Sequence, residues 1–197
     1  LKPGITWSPK GDKIAFAAKS GKSDALFIVD LKTNKKTKHR MNMEGIFRPS
    51  WRPGHNEIAF IGNNGKSSDV YLYSVETGKM KNFTHDWFTD DHISWHPNGD
   101  FLYFISDRED RLETGITNRP KNHSIFQTDI YKLEIKSGLI ERLTETTYNE
   151  MYPCVSNDGN VLAYISDKSG INNIYIKRAE DADSQAITNI ITGITQL

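Results

Sequence analysis

Few residues in this chain have the types and spacing that catalysis requires. The strings nearest to the Gly-x-Ser-x-Gly elbow of serine hydrolases are Gly21-Lys22-Ser23-Asp24-Ala25 and Gly65-Lys66-Ser67-Ser68-Asp69, and both lack the closing glycine. His92 and His96 have the spacing of a helical metal pair, but they flank Trp95 in a strand pattern. Four strand residues span about 13 Å, which is too far for two ligands of one ion with bonds of about 2 Å. We therefore predict no catalytic residue, metal or cofactor in this segment.

A different group of residues has the composition of a surface that binds another protein. Aromatic and charged residues are mixed in three segments, and Arg48, His92 and Tyr152 occupy equivalent positions in them. Aromatic side chains beside charges on exposed loops are typical of interaction hot spots. The predicted partner-binding residues are Phe47, Arg48, Trp87, Asp90, Asp91, His92, Glu150 and Tyr152. Two alternatives stay open: these residues only cap loops and keep the surface soluble, or they form a polar ring that receives a cation.

These segments belong to a phrase that the chain repeats four times. The copies run Trp7–Phe16, Trp51–Phe60, Trp95–Phe104 and Val155–Tyr164, each with a Gly-containing turn followed by an apolar strand pattern. The first three copies begin 44 residues apart and the fourth begins after 60 residues. A period of about 40–50 residues built from short strands is typical of β-propeller blades. We predict an all-β propeller segment of about four four-stranded blades, with the three tryptophans buried in equivalent positions between blades.

The predicted blades form a single segment over residues 1–197. They cover residues 5–48, 49–92, 93–152 and 153–192, and a further blade starts at 193–197. The longer third interval places extra residues between the second and third strands of that blade, and they form either a binding loop or a neutral insertion. We expect this insertion, Arg111 to Ser124, at the end of the propeller opposite to the candidate partner-binding loops.

Composition limits the classes of partner. The chain carries 25 basic and 25 acidic residues with a pI of about 7.2, so no basic face for nucleic acid is expected. No apolar run reaches the roughly 18–20 residues of a membrane-spanning helix, so this segment is not expected to insert into a membrane. The one cysteine, Cys154, is predicted to be a small core residue. The chain starts beside one repeat and stops where another would begin, so we expect a segment of a longer protein.

Several motifs resemble the WD-like repeat of TolB-type propellers. They are Trp-Ser-Pro-x-Gly-Asp-x-Ile-Ala-Phe at 7–16, Ser-Asp at 106–107 and 166–167, Asp-Ile-Tyr at 129–131 and Leu-Thr at 143–144. The resemblance covers essentially the whole chain. It implies a ring of six to eight blades and a non-catalytic scaffold that binds proteins in the periplasm, or otherwise outside the cytoplasm, of a bacterium.

The same repeats also occur in prolyl oligopeptidase-like and tricorn-like peptidases. There the resemblance implies a propeller that gates access to a catalytic domain outside the segment. The residues of this chain do not decide between the scaffold and the gating propeller.

Overall fold

The computed structural model of the chain describes residues 4–118, 120–121 and 123–195. These residues form sixteen strands, and no helix occurs among them. The strands build four antiparallel sheets, each made of four strands that follow one another in the sequence. The predicted all-β class with four-stranded antiparallel units is confirmed.

The strands have the following bounds in the four sheets. The first sheet contains β1 (Ile5–Trp7), β2 (Lys13–Ser20), β3 (Ser23–Asp30) and β4 (Lys36–Met43). The second contains β5 (Gly45–Trp51), β6 (Glu57–Asn63), β7 (Ser68–Ser74) and β8 (Met80–Asn82). The third contains β9 (Asp90–Trp95), β10 (Phe101–Ser106), β11 (Asp129–Glu134) and β12 (Ile140–Arg142). The fourth contains β13 (Glu150–Val155), β14 (Val161–Ser166), β15 (Asn173–Arg178) and β16 (Gln185–Ala186).

The described residues fall into two compact units. One lies within Leu1–Asp91 and Thr114–Arg119, and the other within His92–Glu113 and Pro120–Leu197. The predicted blade divisions after residues 48, 92 and 152 fall inside β5, β9 and β13, because each of these strands begins a few residues before the division.

Glycine permits the tight turn between the first two strands of a sheet. Gly11 in the first sheet and Gly159 in the fourth have φ angles of 68° and 80°, which disfavour residues with a Cβ atom. The N–H of each glycine donates to the carbonyl three residues earlier, of Ser8 and Ser156 respectively. The Pro-x-Gly-Asp and Asn-Asp-Gly strings therefore form the tight turns that their composition predicts.

The core of the first unit contains Trp51. This side chain is 5% exposed and packs in one cluster with Leu26 and Ile28 of the first sheet and Ile58 of its own sheet. Trp7, its counterpart in β1, is 62% exposed. The prediction of equivalent burial is therefore wrong for Trp7. The reason is that Trp51 packs against the preceding sheet, and no described sheet precedes β1.

The prediction that Cys154 is a core residue is also wrong. Cys154 is exposed, whereas Pro153 beside it is buried. The register of β13 against β14 shifts between Met151 and Cys154, which marks a β-bulge. One extra residue in a strand reverses the inward and outward alternation after it, and this turns Cys154 away from the core.

Candidate functional site

The three repeat-equivalent residues of the candidate site share an unusual backbone conformation. Arg48, His92 and Tyr152 have φ angles of 51°, 51° and 53°. Such left-handed conformations cost residues other than glycine about 1–3 kcal/mol. In the sequence, each of these residues lies three positions before the start of a repeat copy. In the structure, the backbone is strained at this position in all three copies.

The strain belongs to a bulge in the first strand of the sheet. The pairing of β5 with β6 passes from Phe47↔Ile61 to Ser50↔Ala59, so Arg48 and Pro49 together oppose one residue. In β13 the bulge described above places Tyr152 and Pro153 opposite one residue of β14. Bulges redirect side chains out of the regular alternation. The bulge, and not the regular alternation of the strand, therefore sets the direction of the Arg48 and Tyr152 side chains.

In the first unit the redirected Arg48 side chain is held by an acid. Its Nε lies 2.7 Å from Oδ1 of Asp91, and the two side chains are 26% and 20% exposed. Phe47, one residue earlier, is half-buried. Partly exposed ion pairs of this kind contribute little to stability, usually below about 1 kcal/mol. The pair therefore orients the guanidinium more than it supports the fold.

Trp87 and Asp90 differ in their accessibility. The Trp87 ring is half-buried and meets the buried Phe88 edge-on, with ring centroids 6.3 Å apart. It also lines a cavity of about 520 Å³ with Lys66 and His85. Asp90 is only 1% exposed. Trp87 can thus contact a partner, but Asp90 does not belong to an exposed acidic ring.

The insertion of the third sheet lies beside Trp87. The N–H of Trp87 donates to the carbonyl of Ile116 at 2.7 Å, and the N–H of Gly115 donates to the carbonyl of His85 at 3.1 Å. The expectation that the insertion lies at the opposite end is therefore wrong. In an antiparallel sheet the first and third strands run one way and the second and fourth the other. The loops after the second and fourth strands consequently emerge at the same end.

In the second unit the two other residues with this backbone conformation contact each other. The rings of His92 and Tyr152 have centroids 3.9 Å apart and an interplanar angle of 36°. His92 is 8% exposed, and Tyr152 is half-buried. Tyr152 is thus the accessible member of this pair.

Glu150 is buried, contrary to its predicted place on an exposed loop. The residue is 1% exposed, and its Oε1 accepts hydrogen bonds from Thr146 Oγ1 at 2.9 Å and Ser166 Oγ at 3.2 Å. Burial, with a smaller contribution from the Asp129 carboxylate, raises the pKa of Glu150 to about 7. Glu150 therefore exchanges its proton near neutral pH inside the protein.

The sequence reading missed the residues that surround Glu150. Asp129 accepts from Arg142 Nη2 at 2.7 Å and is itself buried. Asp129 belongs to the Asp-Ile-Tyr motif, which marked the repeat but gave no indication of this ion pair.

The insertion has an internal anchor that the sequence also did not reveal. His123 Nε2 lies 3.0 Å from Oδ2 of Asp107, and both residues are buried. Asp107 belongs to the Ser-Asp motif at 106–107. The structure shows that it reaches a residue 16 positions away.

No group of three or more His, Cys, Asp or Glu side chains in the described ranges could hold a metal ion. Within the same ranges, no helix has the length and apolar character needed to cross a membrane.

The chain is similar in sequence and structure to known propellers. Residues 3–113 match the family model described as TolB beta propeller domain. A TolB from Acinetobacter baumannii is 21% identical with a TM-score of 0.71, over 94% of this chain and 43% of that one. A protein from Agrobacterium tumefaciens assigned as TolB is 20% identical with a TM-score of 0.74, over 98% and 64% of the two chains. The chain thus spans less than two thirds of either TolB.

A peptidase has the same fold over a similar part of the chain. A puromycin-hydrolyzing peptidase from Mycobacterium tuberculosis is 14% identical with a TM-score of 0.72, over 96% of this chain and 31% of that one. No curated protein sequence matches the chain. At these identities the likenesses show the β-propeller fold and no more.

Proposed function

Because the chain belongs to the TolB beta propeller family, we propose that it is a non-catalytic scaffold that binds a partner protein or peptide. The observation that carries the proposal is the strained backbone conformation that Arg48, His92 and Tyr152 share. Backbone strain that recurs at equivalent positions is typical of binding sites, where it sets the direction of a side chain.

The side chains near these positions fit a peptide better than a small rigid metabolite. Trp87 and Tyr152 are half-buried aromatic groups, and Arg48 with Asp91 supplies partly exposed charges. Rigid aromatic side chains beside a few charges are the usual anchors of protein interfaces. In the first unit an extended peptide can use both kinds of group, and in the second unit Tyr152 offers an aromatic anchor. Phe47 lies beside Arg48 in the first unit, and His92 packs against Tyr152 in the second. Asp90 and Glu150 are buried and are not part of these exposed surfaces.

The test is a comparison of alanine variants. A peptide binder would first be selected from a random peptide library displayed on phage. Trp87→Ala and Tyr152→Ala should each weaken its binding, because each removes an aromatic anchor, while the thermal transition stays nearly unchanged. Lys36→Ala and Lys38→Ala, in the exposed strand β4, are matched controls and should leave binding intact. Equal loss in the controls, or no loss at Trp87 and Tyr152, would refute the proposal.

The proposal includes a location outside the cytoplasm. It is supported by the family, whose resemblance implies periplasmic members. Fractionation of cells that express the full-length gene should recover the protein with periplasmic markers. Recovery with cytoplasmic markers would contradict this part of the proposal.

The second candidate is a gating propeller of a prolyl oligopeptidase-like serine peptidase. It is supported by the fold shared with the Mycobacterium tuberculosis peptidase, whose TM-score of 0.72 lies between the scores of 0.71 and 0.74 with the two TolB structures. In this case the full-length gene product should react with a fluorophosphonate at a serine outside these 197 residues. Under both candidates, Ser23 and Ser67 should remain unlabelled.

A further inference from the structure

The second unit contains a cavity whose wall includes Glu150. Its volume is about 350 Å³, and it lies among residues that follow β12, residues of β14 and the segment before β16. Oε1 of Glu150 accepts the two hydroxyl hydrogen bonds described above. Oε2 of Glu150 is buried, and when the carboxyl is ionised no donor from the described residues reaches this atom. In the neutral form the carboxyl shares a hydrogen bond with Asp129, which contributes to its raised pKa. A buried acceptor without a donor costs free energy, so the site suits a ligand that supplies one.

We propose that this cavity binds the primary ammonium group of a ligand, with Oε2 of Glu150 as its anionic acceptor. The group is carried by a lysine side chain or by the N-terminus of a peptide. Only the choice of a peptide as the carrier rests on the proposed function. The ammonium site itself stands on the contacts of Glu150.

The hydroxyl groups around Glu150 complete the acceptor set. Thr146 Oγ1 and Ser166 Oγ give their protons to Oε1 of Glu150. Each hydroxyl oxygen also accepts one backbone N–H, that of Tyr148 and that of Lys168 respectively, so one lone pair on each remains for a donor from the ligand. An ammonium has three N–H donors and no acceptor, which matches one carboxylate oxygen and two hydroxyl oxygens. The rings and methyl groups of Tyr164 and Leu143 also line the cavity and suit an alkyl stem.

The cations of the protein itself are committed elsewhere. Arg142 pairs with Asp129 at 2.7 Å and with Asp110 at 2.5 Å. Lys177 donates to the carbonyl of Ala182 at 3.2 Å. Lys168 is exposed, and neither lysine forms an ion pair with Glu150 in the described part of the chain. The charge of Glu150 is therefore left for an external cation.

The other ionisable groups around the cavity do not change charge near neutral pH, whereas Glu150 does. The acidic side chains at its wall other than Glu150 are Asp110, Glu145 and Asp183. The bases at its wall are Arg142, Lys168 and Lys177. Buried Asp129 acts on Glu150 from β11, and the pKa of Tyr164 is raised to about 12 by burial, so Tyr164 stays neutral. The group that changes charge near neutral pH at this wall is Glu150.

Proton release should accompany ammonium binding. The pKa of Glu150 is raised to about 7, mainly by burial. A cation favours the ionised carboxylate, so the ligand displaces the proton into solvent. The ionised fraction rises roughly tenfold between pH 6 and pH 8 for such a group, and the affinity for an ammonium should rise by about the same factor.

The experiment is a calorimetric titration with n-butylammonium at pH 6 and pH 8. This probe keeps its charge over the whole range because alkylammonium groups titrate near the lysine value of about 10.4. We expect binding that is roughly tenfold tighter at pH 8, in line with the ionised fraction of Glu150. Titrations with Nα-acetyl-lysine-N-methylamide and with glycinamide then show whether a side chain or an N-terminus is preferred.

The variants separate the site from nonspecific attraction. Glu150→Gln should abolish n-butylammonium binding, and Ser166→Ala should weaken it while the carboxylate remains. Glu180→Gln, the same charge change at an exposed position outside the cavity, should bind as the original chain does. Equal binding by Glu150→Gln, or affinity independent of pH, would overturn the inference. If n-butylammonium fails to bind while Trp87→Ala still weakens the peptide, only this inference fails and the proposed function stands.

Discussion

Thr84 Oγ1 accepts a hydrogen bond from the backbone N–H of Val70 at 3.0 Å. Thr84 lies two residues after the end of β8. Its side chain therefore accepts the next N–H of β7 after the backbone pairing with β8 has ended. The same bond recurs for two further threonines at this repeat position: Thr144 with Ile130 at 2.9 Å and Thr188 with Ile174 at 2.8 Å. The threonine of the Leu-Thr motif is therefore a side-chain cap for the third strand of the sheet.

Thr84→Val should destabilise the protein by about 1–3 kcal/mol. Valine has a similar shape but no acceptor, so the buried N–H of Val70 loses its partner. Thr84→Ser keeps the hydroxyl and should lose less. Urea unfolding of the three proteins measures the difference. Equal stability of the valine variant and the original chain would show that the hydroxyl is not needed.

Trp51→Ala should cost about 3–5 kcal/mol of the free energy of unfolding. The substitution removes a large buried side chain and leaves a cavity in the cluster with Leu26 and Ile58. Trp7→Ala is the matched control, because Trp7 occupies the same repeat position but is mostly exposed. Its effect should be much smaller. Similar costs for the two variants in urea unfolding would contradict the assigned burial.

The repeat in the sequence was sufficient to predict the sheets. Glycine turns, apolar strand centres and a constant interval are local features, and the sheets form from consecutive strands. The sheets can therefore be predicted from such a pattern without information about contacts between distant residues. The burial of Trp51 followed from its type and position, and that prediction is confirmed.

The details of the candidate site depended on contacts that no local pattern records. A bulge adds one residue to a strand, and this reverses the face on which Cys154 lies. Trp7 is exposed because burial of the equivalent tryptophan requires a preceding sheet. The burial of Glu150 depends on Thr146 and Ser166, which come from a loop and another strand. Sequence spacing therefore identified equivalent positions but not their surroundings.

His123→Ala should loosen the insertion of the third sheet without unfolding the protein. The substitution removes the buried contact between His123 and Asp107 that ties the insertion to the end of β10. Trypsin should then cleave after Arg111 or Lys121 several-fold faster, because proteolysis follows local opening. His55→Ala, at an exposed turn, is the control. Unchanged cleavage in the His123 variant would show that other contacts hold the insertion.

Glu150 should make the stability of the protein fall as the pH rises from 5 to 8. Its pKa is raised from 4.5 to about 7 by burial, so over this range the unfolded chain is ionised while the folded protein still holds the proton. The folded state binds more protons, and the free energy of unfolding therefore decreases as pH rises through this window and levels off above the folded pKa.

The comparison with Glu150→Gln isolates this effect. Glutamine keeps a neutral side chain of the same size and does not titrate, so groups that do not interact with Glu150 cancel in the difference between the two proteins. The original chain should lose on the order of 1–3 kcal/mol relative to the glutamine variant between pH 5 and pH 8. Urea unfolding at four pH values in an amine-free phosphate buffer measures the gap. A gap that stays constant would mean that the carboxyl of Glu150 titrates at its ordinary pKa, and water must then reach it in the folded protein.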